Sequence, residues 1–139
     1  MRISIINGPN LNLVGTREPS LYGVESLDNY LKRLTEKYSE HSIQIFQSNV
    51  EGEIINEIHR VSNLVDAIII NAGAYTHTSI ALADAIKSVG VPSCIEVHIS
   101  NVFAREPYRR ESKIAEVCSG SISGFGIKGY ELAIKSLLI

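Results

Sequence analysis

Ala67-Ile68-Ile69-Ile70-Asn71 is a continuous apolar run, three isoleucines deep, that ends on an amide. A strand without polar alternation leaves no face for water, so this stretch predicts a central strand of a parallel sheet covered on both sides. The neighbouring segments agree. Ile54, Ile55, Ile58, Val61 and Leu64 recur at helical spacing before it, and a further helix is expected from about Thr78 or Ser79 to Val89, closed by Gly90. Ser93 to His98 is another apolar strand, and Arg2 to Asn7 reads as a buried first strand ending in a Gly-Pro-Asn turn.

Ser26 is placed to cap a helix whose apolar positions are Leu27, Tyr30, Leu31, Leu34 and Tyr38. Ile43 to Ser48 alternates apolar and polar residues, the pattern of an edge strand. Pro107 to Glu116 predicts a short polar helix or turn, Ser119 to Gly124 a weaker fifth strand, and Tyr130 to Leu138 a final helix. Strict β-α alternation predicts an α/β fold of the flavodoxin-like doubly wound kind: a five-stranded parallel sheet with helices on both faces, spanning residues 1–139 as a single domain.

The 139 residues, 45% of them apolar, suffice for one hydrophobic core. A net charge of −2, with 13 Lys and Arg scattered along the chain, provides no basic stripe for phosphate, so nucleic acid is not an expected partner. Neither a signal-peptide core nor a run long enough to span a membrane is present, so a cytoplasmic location without membrane association is expected. His41, His59, His77 and His98 are dispersed, and Cys94 and Cys118 lack CxxC spacing. No metal site is expected, and the cysteines read as buried free thiols in strand-like segments.

Ligands of open α/β sheets bind at the carboxyl ends of the strands. Polar residues collect there: Asn7-Gly8-Pro9-Asn10-Leu11-Asn12 after the first strand, Asn71 to Ser79 after the third, and Glu96-Val97-His98-Ile99-Ser100-Asn101 at the fourth. The first of these loops is a proline-stiffened array of amides. It lacks the Gly- or Ser/Thr-rich nest that a flavin or nucleotide phosphate needs, and suits hydroxyl, carbonyl or carboxylate groups better. Glu96 and His98 lie two apart on one strand and so share a face, where the carboxylate would orient the imidazole. The residues alone thus define a polyol or hydroxy-acid site without naming a reaction. Singly, each also has a plainer role. His98 with Glu96 reads as a bonded core pair, His77 beside Thr76 and Thr78 as a helix cap, Asn71 as a tie between loops, and Arg109, Asp84, Arg17 and Tyr22 as surface groups.

Longer blocks carry a resemblance. Asn7-Gly8-Pro9-Asn10-Leu11-Asn12-Leu13, then Gly15-Thr16-Arg17-Glu18-Pro19 and Tyr22-Gly23, closely resemble the N-terminal signature of the type II 3-dehydroquinate dehydratase family. Asn71-Ala72-Gly73-Ala74-Tyr75-Thr76-His77-Thr78-Ser79, Glu96 to Asn101, Ala104-Arg105-Glu106, Arg109-Arg110 and Gly126-Ile127-Lys128-Gly129-Tyr130 continue it in order along essentially the whole chain.

That resemblance implies a cofactor-free enzyme of the shikimate pathway, which removes water from 3-dehydroquinate to give 3-dehydroshikimate through an enolate. It implies Tyr22 as the base. Ionising a free tyrosine at neutral pH costs about 4 kcal/mol, and a nearby cation lowers its pKa by roughly 1 to 3 units, the part assigned to Arg17. It implies Asn12 beside the developing enolate oxygen or a water, His98 as the general acid and Glu96 as its orienting partner. Asn71, His77, Ile99, Ser100 and Arg109 are implied to bind substrate, with Ile99 and Ser100 at its carboxylate and Arg109 at a hydroxyl. Asp84 is implied to reach the site of a neighbouring subunit in a homododecamer. The segment Val14 to Val24, with Gly15 and Gly23 near its ends, is expected to be a mobile lid.

Three rivals are weighed against this. A flavodoxin-type cofactor module is favoured by the fold alone but lacks a phosphate nest. A non-catalytic hydroxy-acid binder would have no need of Tyr22, Arg17 and His98 together. A Schiff-base dehydratase needs a lysine at an apolar strand end, and Lys32, Lys37, Lys87, Lys113, Lys128 and Lys135 all fall on expected helices or loops.

Overall fold

The computed structural model describes residues 1–16, 25–90 and 93–139. Five parallel strands, β1 (Arg2–Asn7), β2 (Ser42–Gln47), β3 (Ala67–Asn71), β4 (Cys94–His98) and β5 (Gly120–Ser123), form one sheet in the order β2-β1-β3-β4-β5. Four α-helices alternate with them: α1 (Leu27–Lys37), α2 (Glu51–Val61), α3 (Ile80–Val89) and α4 (Lys128–Leu137). This is the flavodoxin-like doubly wound order, which reverses direction between β1 and β3 and opens a crevice there.

Strand parity divides the core. Ile3 and Ile5 of β1, Ile69 of β3, and Ile95 and Val97 of β4 face one side, where Tyr30, Leu31 and Leu34 of α1 and Tyr130, Ala133 and Ile134 of α4 cover them. Ile6, Ile68, Ile70 and Cys94 face the other side, under Ile54, Ile58 and Val61 of α2 and Leu82 and Ile86 of α3. All five residues of β3 are buried, as a strand at the middle of a two-sided sheet must be. β2 lies at an edge and is only half-buried. Ser26 caps α1 by accepting from the Asn29 amide, Ser79 caps α3 by accepting from Leu82, and Gly90 closes α3 in the left-handed conformation.

The expected elements are all present, and four details differ. Leu64 is half-exposed because α2 ends at Val61. The turn that follows brings Val65 onto the core instead, through its amide bond to the Val61 carbonyl. The Pro107-to-Glu116 stretch forms two separate 3-10 turns, Pro107–Arg109 and Ala115–Val117. The fifth strand is shorter than Ser119 to Gly124, and Gly124 bends away with φ +91°. Cys118 ends a 3-10 turn ahead of β5 and is partly exposed, whereas Cys94 is buried.

The loops after β1 and β3 interlock. The Gly8 amide donates to the Asn71 carbonyl at 2.8 Å, and a Cβ on Gly8 would lie 2.4 Å from the Ala72 carbonyl oxygen, so only glycine fits. Below them the fully buried Tyr130 hydroxyl donates to Asn7 Oδ1 at 2.7 Å and accepts from Asn71 Nδ2 at 3.0 Å. Burial pushes the phenol pKa well up, so it stays a neutral donor. Tyr130→Phe orphans two buried amide groups at a cost of about 1–3 kcal/mol each, so a clear fall in thermal midpoint is expected by calorimetry. An unchanged midpoint would show that the bridge carries no stability.

Candidate active site

The carboxyl ends of β1, β3 and β4 enclose a crevice of about 430 Å³. Its wall includes Pro9, Asn10 and Leu11 after β1, Asn71 and His77 after β3, and His98, Ile99 and Ser100 after β4. Arg105, just past the 3-10 turn Val102–Ala104, and Arg109, at the end of the 3-10 turn Pro107–Arg109, also line it. The site therefore pairs neutral amides on one wall with two guanidinium groups on the other. That combination suits an anionic, hydroxyl-bearing ligand.

At its floor lies a buried acid–base pair. Glu96 is 1% exposed and His98 7%, and His98 Nε2 lies 2.8 Å from Glu96 Oε1. Alternation along β4 puts both on one face, as their spacing predicts. With Nε2 held by the carboxylate, Nδ1 is the ring nitrogen left for the crevice. Burial alone would raise the Glu96 pKa. Hydrogen bonding and charge from His98, with bonds from Ser112 and Thr76, outweigh it and bring the carboxyl down to about 2. A folded pKa below the unfolded value stabilises the protein above pH ~4.3, and that contribution is lost as pH falls toward 2.

His77 stands beside the pair, its ring roughly parallel to that of His98 with centroids 6.3 Å apart. Its Nδ1 is 2.8 Å from the Glu111 carbonyl, which requires an N–H on Nδ1 and turns Nε2 away from that bond. It does not cap α3, because Ser79 does. Asn71 is 3% exposed and both ties and lines: Nδ2 donates to Tyr130, Oδ1 accepts from the Gly73 amide, and one amide hydrogen remains. Arg109 is held by Glu106 at 2.8 Å, and Arg105 reaches Ser100 Oγ at 3.3 Å.

Not every expected residue meets here. Asn12 is exposed on the 3-10 turn Leu11–Leu13, where its Oδ1 accepts from Gln47 Nε2 at 3.4 Å, and it is not among the residues lining the crevice. Asn7, expected as part of the amide array, is consumed by Tyr130. Asp84 lies exposed on α3, outside the crevice, with Lys87, Lys113 and Glu116 around a separate cavity of about 790 Å³. Arg17 and Tyr22, and with them most of the expected lid, lie outside the described residues. The anchors of that segment are described: the Leu27 amide donates to the Val14 carbonyl at 3.2 Å, and Gly15, at φ +84°, abuts the Glu25 carbonyl. Leu13 and Val14 line the crevice, so the segment leaves from its edge.

Arg105, Thr76, Ser112 and Ser121 are not singled out by the sequence alone. Arg105 lies in the block Ala104-Arg105-Glu106, and its cation four residues from Arg109 was a usable signal. Thr76 lies in the block Asn71 to Ser79, but nothing in the sequence ties it, Ser112 or Ser121 to Glu96, which is 20, 16 and 25 residues away.

All six lysines fall on helices or loops and none lines the crevice. Among the described residues no group of three His, Cys, Asp or Glu side chains is placed to hold a metal ion, and no helix is long and apolar enough to cross a membrane.

Fold and site together define a doubly wound α/β protein with a buried carboxylate–imidazole pair at its switch-point crevice. The family model described as dehydroquinase class II matches residues 1–138. A 3-dehydroquinate dehydratase of Caldicellulosiruptor bescii is 55% identical, over 98% of this chain and 95% of its own. Another, of Anoxybacillus flavithermus, is 51% identical over 99% and 94%. The crystal structure of a type II dehydroquinase from Butyrivibrio crossotus superposes with a TM-score of 0.93 at 45% identity, covering 100% of this chain and 98% of that one. The chain belongs to the class II dehydroquinase family.

Proposed function

We propose that the protein is a 3-dehydroquinate dehydratase acting in the cytoplasm as a single catalytic domain, converting its substrate to 3-dehydroshikimate in the shikimate pathway. The observation that carries this is the Glu96–His98 pair, buried at the carboxyl end of β4 with His98 lining the crevice.

The reaction removes a proton from the carbon beside a ketone and a hydroxyl from the next carbon. Tyr22, as phenolate, takes the carbon-bound proton, and the electron pair moves onto the carbonyl oxygen to give an enolate. When the enolate collapses, its electrons form the C–C double bond, the C–O bond breaks, and His98 delivers a proton so that water departs. Tyr22 and His98 return to their starting states by proton exchange with solvent. Glu96 holds the imidazole, and Asn12 serves the enolate oxygen once the neighbouring segment closes on substrate. Arg105 joins Ile99 and Ser100 at the substrate carboxylate, while Asn71, His77 and Arg109 take hydroxyl groups.

Adding 3-dehydroquinate to the purified protein and following the ultraviolet absorbance of the conjugated product tests the reaction. A flat trace would leave binding only. Arg17 lowers the pKa of the base, so its loss raises that pKa. For Arg17→Gln, the pH at which the rate climbs is expected to rise by about 1 to 3 pH units. An unmoved profile would remove Arg17 from that role.

Assembly as a homododecamer belongs to the same reading, with Asp84 turned toward a neighbouring copy. Two features support association through α3. Asp84 is exposed there among the charges of Lys87, Lys113 and Glu116, and Ile80 on the same helix is 66% exposed. Sedimentation equilibrium measures the assembly directly.

A further inference from the structure

We propose that Thr76 and Ser112 are positioning residues for the general acid: their hydroxyls keep Glu96 a carboxylate that accepts from His98 Nε2–H, so that the proton His98 delivers from Nδ1 comes from an imidazolium paired with an anion. The inference rests on the reading of His98 as the acid, and it concerns how that residue is held.

Four donors converge on Glu96. Oε1 takes the Thr76 hydroxyl at 2.5 Å, the Ser112 hydroxyl at 2.7 Å and His98 Nε2 at 2.8 Å, and Oε2 takes the Ser121 hydroxyl at 3.0 Å. An ionised carboxylate offers about four lone-pair positions and no proton, so it can only accept from these groups. The proton count on Ser112 is constrained. Its oxygen accepts from the Ala115 amide at 3.0 Å and from Ile114 at 3.3 Å, so its one hydrogen is turned toward Glu96. Thr76 is wholly buried and also lies 3.0 Å from Ser112, which leaves it no water to serve instead.

Two arrangements compete at a buried carboxyl–imidazole contact. Holding the same two protons, the pair is either an anionic carboxylate that accepts from Nε2–H of an imidazolium, whose Nδ1–H is the proton to give, or a neutral carboxylic acid that donates to Nε2 of a neutral imidazole, whose one proton sits on Nδ1 and is far less acidic. Burial favours the neutral acid. The hydroxyl donors oppose it, since a proton on Glu96 would confront hydrogens already aimed at both oxygens. Among the described residues, the charged and titratable groups facing His98 are Glu96 on its own strand, His77 across the ring stack, and Arg105 and Arg109 on the crevice wall. Of these, Glu96 is the group bonded to Nε2, so its state decides where the shared proton lies.

The same bonds link the site's walls. Thr76 precedes His77 on the turn Gly73–His77, Ser112 follows Arg109 by three residues, and Ser121 pairs with Glu96 across β4 and β5. Ser121 is exposed, so water can replace its hydroxyl.

The test compares Thr76→Val, Thr76→Ser and Ser112→Ala in the full chain. Imidazole nitrogen NMR of His98, followed as pH falls, distinguishes an imidazolium from a neutral ring protonated on Nδ1 without turnover, and steady-state kinetics gives kcat and KM. Thr76→Val and Ser112→Ala are expected to show the neutral Nδ1–H ring where the parent shows the imidazolium, and to lower kcat roughly 10- to 100-fold with KM changed much less. Thr76→Ser keeps the hydroxyl and should stay within about threefold of the parent. An imidazolium spectrum like the parent's with unchanged kcat in Thr76→Val and Ser112→Ala would overturn the proposal. Equal losses in Thr76→Val and Thr76→Ser would do the same, marking methyl packing as the cause. If wild type proved inactive on 3-dehydroquinate, the reaction assigned above would fail while the nitrogen spectrum still judged this inference.

Discussion

His98→Asn is expected to lower kcat for 3-dehydroquinate by about 10²- to 10⁴-fold, the range for losing a positioned general acid. Asparagine is polar and similar in reach but has no proton to give at neutral pH, so the hydroxyl must depart without one. The loss belongs in kcat, because a group that acts as the C–O bond breaks contributes to the transition state more than to ground-state binding. The affinity of a non-reactive substrate analogue should therefore stay near that of the parent. The variant also deprives Glu96 of its Nε2–H partner. Breaking a buried ion pair from one side costs roughly 3–5 kcal/mol, and here Thr76, Ser112 and Ser121 still donate to the carboxylate, so a smaller drop is expected. A kcat within tenfold of wild type in a folded variant would remove His98 from the acid role.

Tyr22→Phe is expected to abolish measurable turnover while the analogue still binds, since the substitution removes only the proton acceptor. The two variants separate the steps. In deuterated water His98→Asn should still exchange the hydrogen beside the ketone, because the enolate forms and returns, whereas Tyr22→Phe should exchange none. Exchange at the parent rate in Tyr22→Phe would assign the base to another residue. Loss of exchange in both variants would mean that proton removal and C–O cleavage cannot be separated, and the enolate step would have to be abandoned.

The fold was readable because its cues are local. Ala67 to Asn71 has no polar alternation, Ser26 and Ser79 stand where caps belong, and Gly90 stops α3. Where the reading slipped, tertiary contacts decided. Leu64 follows the helical period of α2, but the chain turns before reaching it and Val65 takes the buried place. Cys118 has apolar neighbours in sequence yet falls on a 3-10 turn at the end of the sheet.

The site was legible to the same extent. Glu96 and His98 share a face because strand geometry has a period of two, and the motif blocks bring Asn71, His77, Ile99, Ser100 and Arg109 to strand ends that meet. Asn7 and Asn12 lie in the same polar run, and nothing in their order distinguishes the one that bonds Tyr130, 123 residues away, from the one beside Gln47.

Residues near one another along the chain were enough to read the strand and helix pattern, the family and the placing of Glu96 and His98 on one face of β4. Tertiary structure alone decided that Tyr130 joins β1 to β3 and that Thr76, Ser112 and Ser121 surround one carboxylate. The reason is physical: a hydrogen bond has a reach of about 3 Å and a direction. Which distant hydroxyl satisfies a buried charge is therefore set only when the sheet has assembled and carried the loops together.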